Sequence, residues 1–185
     1  MGPLTDDDLM RLYADGDETA FDVLFDRYHV AVFHLARMIL RGDGAAEEVL
    51  QETFLAVARN AAGYTPKGSF RPWLMRIARN LCLNRLQAER ARQMISGAGV
   101  DPDTHAGDDV GPADAAETRE RAALLRRAIE RLPDDQRQAI ALYSLDEITY
   151  REIAEVMGKP LNTIKTLIRR GRSTLARELE PYWRG

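Results

Sequence analysis

The residues best suited to chemistry near the carboxyl end are cations at helical spacing. Lys165, Thr166, Arg169, Arg170, Ser173 and Arg177 fall on one face of the segment 162–180, and Ile164, Leu167, Ile168 and Leu175 fall on the other. Lys and Arg donate to guanine edges, and cations along the same helix hold phosphate oxygens. A helical hairpin with a solvated basic face would carry the same residues. The elements that position them therefore decide what the face is for.

Thr149-Tyr150-Arg151-Glu152 has the spacing of a capping box, in which Thr149 accepts from the Glu152 amide and Glu152 reaches back. Ile148 and Ile153 fit the accompanying hydrophobic staple. The helix they start is expected to end at Gly158, in the left-handed conformation that a sharp turn needs. Asn162 is expected to cap the next helix, and the small Ala154 lets that helix approach closely. Ala154, Gly158 and Ile164 together have the spacing of a helix-turn-helix. In that motif the second helix enters the major groove of DNA, with its first residues, here Asn162 and Thr163, nearest the bases.

Net charge is -3, yet the charge is segregated. Residues 1–26 hold eight acids and one base, and residues 67–92 hold seven bases and one acid. Residues 94–118 hold six acids and no base, and residues 159–184 hold seven bases and two acids. Two basic segments separated by an acidic one suggest two contact surfaces for a polyanion, against solvated helix faces as the plain alternative. The acidic stretch has four Gly, two Pro and no apolar period, so it reads as a flexible linker.

Both sides of that stretch lack strand alternation and read as helices, giving an all-α chain of two small domains. The expected domains are 1–93 and 118–185, with 94–117 between them. Residues 19–41 place Phe21, Leu24, Phe25, Tyr28, Val32, Leu35 and Ile39 on one stripe, with Val23, Val30 and Phe33 outside it, which predicts a centrally buried helix. A helix over 43–61, with Asp43 as its cap, packs through Ala46, Val49, Leu50, Thr53, Phe54 and Val57. Its other arc carries Glu48, Gln51, Glu52, Leu55 and Arg59. One leucine ringed by acids and Gln has the make-up of an interface, with an apolar centre and a polar rim. A helix over 70–92 packs through Phe70, Trp73, Leu74, Ile77 and Leu81 and turns Arg76, Arg79 and Arg90 outward. Further helices are expected at 118–131, 133–144, 149–157 and 162–180, with Pro133 at a first helical position.

Several residues have a plain reading beside a chemical one. The single Cys82 excludes a disulfide framework and reads as a packed thiol. His29, His34 and His105 lack ligand spacing, so no metal or other cofactor is expected. Asp6-Asp7-Asp8 suits the acidic first turn of a helix. Phe70 and Trp73 could stack on bases, but their stripe position favours the core. Tyr64 stands in a loop between Gly63 and Pro66, beside Lys67, which favours contact with nucleic acid. No nucleophile–base pair or glycine-rich phosphate loop argues for an enzyme. No signal peptide or membrane-length apolar run is present, so a cytoplasmic protein is expected.

Four motifs in order carry a family resemblance: "AEEVLQETFLAV" at 46–57, "FRPWLMRIARNLCLNRLQAER" at 70–90, "AIERLPDDQRQAIAL" at 128–142 and "TYREIAEVMGKPLNTIKTLIRRGRSTL" at 149–175. In order and spacing they resemble an extracytoplasmic-function (ECF) sigma factor of bacterial RNA polymerase. The resemblance implies a region 2-like domain that binds the clamp coiled coil of the polymerase largest subunit through Glu47, Glu48, Gln51, Glu52 and Leu55. That domain would also help melt the −10 element through Tyr64, Lys67, Arg76, Arg79 and Asn80. It implies a region 4-like domain that binds the −35 element through Asn162, Thr163, Lys165, Thr166, Arg169, Arg170, Ser173 and Arg177, and the flap of the second-largest subunit. An anti-sigma factor would hold such a protein inactive. The chain departs from the family turn Gly-Thr-Val-Lys-Ser-Arg, reading Asn162-Thr163-Ile164-Lys165-Thr166-Leu167 instead. Gly171 replaces a usual Ala, at a helix cost of roughly 1 kcal/mol, and Glu48 replaces a usual Asp. The competing reading is a helix-turn-helix regulator with an N-terminal sensing or dimerisation domain. It predicts promoter binding without polymerase.

Overall fold

The computed structural model describes residues 4–40, 42–65, 70–96, 114–146 and 148–183, and among these every regular element is helical. The chain divides into two compact units, Met1–Pro102 and Asp103–Gly185.

The first unit is built from α1 (Asp6–Ala14), α2 (Glu18–Ile39), α3 (Asp43–Asn60), a 3-10 turn (Ala61–Gly63) and α4 (Phe70–Ser96). A capping box starts α1. Thr5 Oγ1 accepts from the Asp8 amide at 3.2 Å and Asp8 Oδ2 accepts from the Thr5 amide at 3.2 Å. The Thr5 hydroxyl also donates to Asp8 Oδ2 at 2.5 Å, and that bond, followed by the one from the Thr5 amide, holds the Asp8 carboxyl below the usual carboxylate range. Asp17 caps α2 by accepting from Thr19 N at 3.0 Å, and the Thr19 hydroxyl, donating to the same Oδ1 at 2.6 Å, does most to lower its carboxyl. The core gathers Leu9 and Met10 from α1, Leu24, Val32 and Leu35 from α2, Val49 and Val57 from α3, and Phe70, Leu74, Met75 and Cys82 from α4. Full burial of one such large side chain is worth about 1.5–3 kcal/mol. Burial among these groups pushes the Cys82 thiol up to about 12.

α2 packs on α1, α3 and α4, but it is not buried all round. Val23 and Val30 are exposed, so the helix is amphipathic, with one apolar stripe turned to the core of its unit. Asp43 is not the cap of α3. Gly42 takes that position at φ 113°, a conformation that a Cβ disfavours, and Asp43 contributes a first-turn acid.

The second unit holds α5 (Asp114–Glu130), α6 (Asp134–Tyr143), α7 (Tyr150–Met157) and α8 (Leu161–Trp183). Pro133 precedes α6 as its cap residue, and its carbonyl accepts from Arg137 N at 2.9 Å. The buried Arg137 turns back to donate to the Glu130 carbonyl at 3.3 Å and to Asp134 Oδ1. It thereby satisfies an orphan carbonyl at the end of α5. α8 lies across α5, α6 and α7 and buries Ile164, Ile168 and Leu179. Gly171 is buried against α6, and a Cβ there would lie 2.7 Å from Ile140 Cγ1. α4 and α5 extend into the stretch expected to be linker, as far as Ser96 and from Asp114. The rest of that stretch, 97–113, lies outside the described residues.

Candidate functional site

Local sequence accounts for the turn between α7 and α8. Thr149 Oγ1 accepts from Glu152 N at 3.2 Å, and Glu152 Oε2 accepts from Thr149 N at 2.8 Å. Gly158 closes α7 at φ 62°, with Lys159 N donating to the Ala154 carbonyl at 3.1 Å. Asn162 does not cap α8. The Pro160 carbonyl accepts from Thr163 N at 2.9 Å and from Ile164 N at 3.1 Å, so the helix begins one residue earlier and Asn162 sits in its first turn. Asn162, Thr163, Lys165, Arg169, Arg170, Ser173 and Arg177 are exposed along α8. Thr166 is half-buried and donates to the Asn162 carbonyl at 2.9 Å. Leu167 and Leu175 are half-buried at the edges of the packed stripe. On the same unit Arg172 lies 5.8 Å from the ring centre of Tyr143, which also packs on Tyr150 at 5.7 Å.

In the first unit, Asn60, Gly63, Tyr64, Thr65 and Trp73 line a cleft of about 210 Å³ between the end of α3 and the start of α4. Tyr64 is fixed there. Its hydroxyl donates to Asp7 Oδ1 at 2.6 Å, and its ring packs on Trp73 at 5.1 Å and Phe70 at 6.0 Å. Burial and the Asp7 carboxylate raise its phenol well above the usual range, and Tyr28, bonded to Asp6, is raised by the same causes. Phe70 is buried, whereas Trp73 is half-buried and lines the cleft. Trp73, Arg76 and Asn80 recur at i, i+3 and i+7, so they follow one edge of α4. Arg76 and Asn80 are exposed. Arg79 is half-buried and donates to Asn80 Oδ1 at 3.5 Å. Lys67 lies outside the described residues.

On α3, Ala46, Val49, Thr53, Phe54 and Val57 are buried, while Glu47, Glu48, Gln51, Glu52 and Leu55 are exposed, Leu55 at 52%. Sequence reasoning missed Arg85. From α4 it donates through Nη1 to Glu48 Oε2 and through Nη2 to Glu52 Oε1 at 2.6 Å. These bonds raise the guanidinium further above its ordinary value, Glu48 contributing most. No local signal marks a pair 37 and 33 residues apart. Among the described residues no group of three or more His, Cys, Asp or Glu could hold a metal ion. Among them, too, no helix is long and apolar enough to cross a membrane.

Residues 24–92 match the family described as Sigma-70 region 2, and residues 122–175 match Sigma-70 region 4. ECF RNA polymerase sigma factor SigW of Bacillus subtilis is 32% identical over 89% of this chain and 91% of its own. The chain belongs to the ECF sigma factor family. SigK of Mycolicibacterium vanbaalenii is 37% identical to this sigma factor, over 89% of the chain and 84% of the relative. The fold agrees with that of CnrH, solved in complex with the cytosolic domain of CnrY. That match has TM-score 0.71 and 24% identity over 95% of this chain and 97% of that one. The region 2 match spans α3, the cleft and most of α4, and the region 4 match spans the helix-turn-helix.

Proposed function

We propose that this sigma factor divides promoter opening among three surfaces. The exposed α3 face, with Gln51 and Leu55 at its centre and Glu47, Glu48 and Glu52 around them, docks on the clamp coiled coil of the polymerase largest subunit. The acids steer association and fix register. The cleft with Tyr64 and the α4 edge with Arg76, Arg79 and Asn80, joined by Lys67 as the sequence expects, hold the opened −10 strand by positive charge and contacts to unstacked bases. The outer face of α8 reads the −35 element, Lys165 and Arg169 at base edges and Arg170 and Arg177 at phosphates. The second unit also meets the flap of the second-largest subunit. The chain supplies no catalytic group of its own, and it works in the cytoplasm, where polymerase and promoter are.

The observation that carries this reading is the pairing of a capped helix-turn-helix with an α8 whose cations stay exposed after the core is formed. An anti-sigma factor controls access to these surfaces. CnrH bound to the cytosolic domain of CnrY, and the sigma factor RpoE of Bartonella quintana bound to the anti-sigma factor NepR, share this fold and support that step. Run-off transcription with core polymerase and a genomic promoter library tests the reading. Transcripts that require both the chain and core polymerase are expected. Promoter binding by the chain alone, with no transcription on adding core, would instead favour a helix-turn-helix regulator.

A further inference from the structure

We propose that Arg85 is a positioning residue for polymerase binding, holding Glu48 and Glu52 in one fixed presentation on the α3 face. The inference rests on the reading of that face as the polymerase site.

Glu48 and Glu52 are one turn apart on α3, where like charges repel and long side chains move freely. Arg85 reaches both from α4 with two separate nitrogens. Its side chain is 24% exposed, whereas those of Glu48 and Glu52 are 66% and 48% exposed. The cation is therefore recessed and the carboxylates stand outside it. Each carboxylate gives Arg85 one oxygen, Oε2 of Glu48 and Oε1 of Glu52. A carboxylate has two oxygens and about four acceptor positions, so a basic partner can approach from the outer side while the bridge persists. Leu55 lies three residues beyond Glu52, at the exposed centre of the same arc.

Two effects of opposite sign follow from this geometry. Arg85 cancels part of the negative field that attracts a basic surface, which slows encounter. It also orders two side chains before the partner arrives, which removes an ordering cost from binding. Surface encounter is screened at physiological salt, whereas the ordering gain acts on the docked complex. Ordering therefore dominates, and it should appear in dissociation.

The test is an interferometry titration of the full chain against core polymerase at low and physiological salt, with circular dichroism on every variant. Arg85→Ala should bind about 5- to 30-fold more weakly. The loss should lie in faster dissociation, with association unchanged or faster. Arg85→Lys keeps the charge without the two-pronged geometry and should recover only part of the loss. On a Glu48→Gln/Glu52→Gln background, Arg85→Ala should add little, because Arg85 acts through those acids; a general structural role would add its full cost. Leu55→Ala and Gln51→Ala separate this inference from the reading beneath it. If they weaken binding while Arg85→Ala binds as tightly as wild type or tighter, Arg85 positions nothing and the polymerase face stands. If all three bind as wild type while folded, the face itself is misassigned and the inference falls with it.

Discussion

At the scale of single residues, Gly171 shows what spacing alone conceals. Read within its helix, it lowers the stability of α8 relative to alanine. In the fold it is where α8 meets the branched Ile140 of α6, and a methyl group would lie 2.7 Å from Ile140 Cγ1. Gly171→Ala gains roughly 1 kcal/mol of helix propensity and loses about 1–3 kcal/mol to overpacking. The expected result is a lower Tm, with a Gly171→Ala/Ile140→Ala pair falling short of the sum of the two single costs. Arg169 and Arg177 part company in another measurement. Arg169→Ala should cost about 1–3 kcal/mol of discrimination at one promoter position, while Arg177→Ala weakens all sequences alike. Binding to a panel of −35 variants separates the two. Unchanged affinity and preference in Arg169→Ala would misplace the reading face. The outward residues of α8 were legible because a 3.6-residue period assigns faces without a partner. Gly171 and Arg85 were not, since each takes its meaning from a helix distant in sequence.

At the scale of elements, the signals read correctly were those written within one turn. The Thr149–Glu152 box and the left-handed Gly158 mark the ends of α7. Thr149→Ala removes the acceptor for the Glu152 amide and should cost about 0.5–2 kcal/mol. Thermal unfolding would show the loss, and DNA binding should fall with it because α7 sets the angle of α8. The box at Thr5–Asp8 is equally local, a Thr followed three residues later by an acid, and the acidic run around it conceals it. Caps at Asp43 and Asn162 were misplaced because a glycine and a proline carbonyl took those places. Such a choice depends on backbone angles, and composition does not reveal them. For α4, Arg76→Ala/Arg79→Ala should leave far fewer permanganate-reactive thymines near −10 than wild type, and equal reactivity would remove that helix edge from strand capture. The Asp8 and Asp17 caps have a pH signature. Both carboxyls are depressed in the fold, so their support is present above the unfolded value of 3.8 and is lost as pH falls through the folded one. Amide exchange in the first turns of α1 and α2 should accelerate there before the rest of the unit opens.

At the scale of the molecule, two compact units each carry a core of their own, and the chain has one cysteine. That thiol is buried in the first unit and pushed up to about 12, so it remains protonated at neutral pH. Its raised value favours the folded state below the unfolded value of 9.0 and loses that effect as pH rises towards 12. Native iodoacetamide labelling should therefore be slow, accelerate with denaturant, and follow the opening of the first unit only. Rapid labelling at neutral pH without denaturant would contradict the burial. The consequence extends to living cells. A permeant alkylating reagent applied for a fixed time becomes a clock, since each adduct records one visit of Cys82 to solvent. The second unit, with no thiol, leaves no mark on that clock. Adduct counts before and after a stress would then show how the open fraction of one half of the protein changes inside the cell, with no tag, dye or substitution added to the chain.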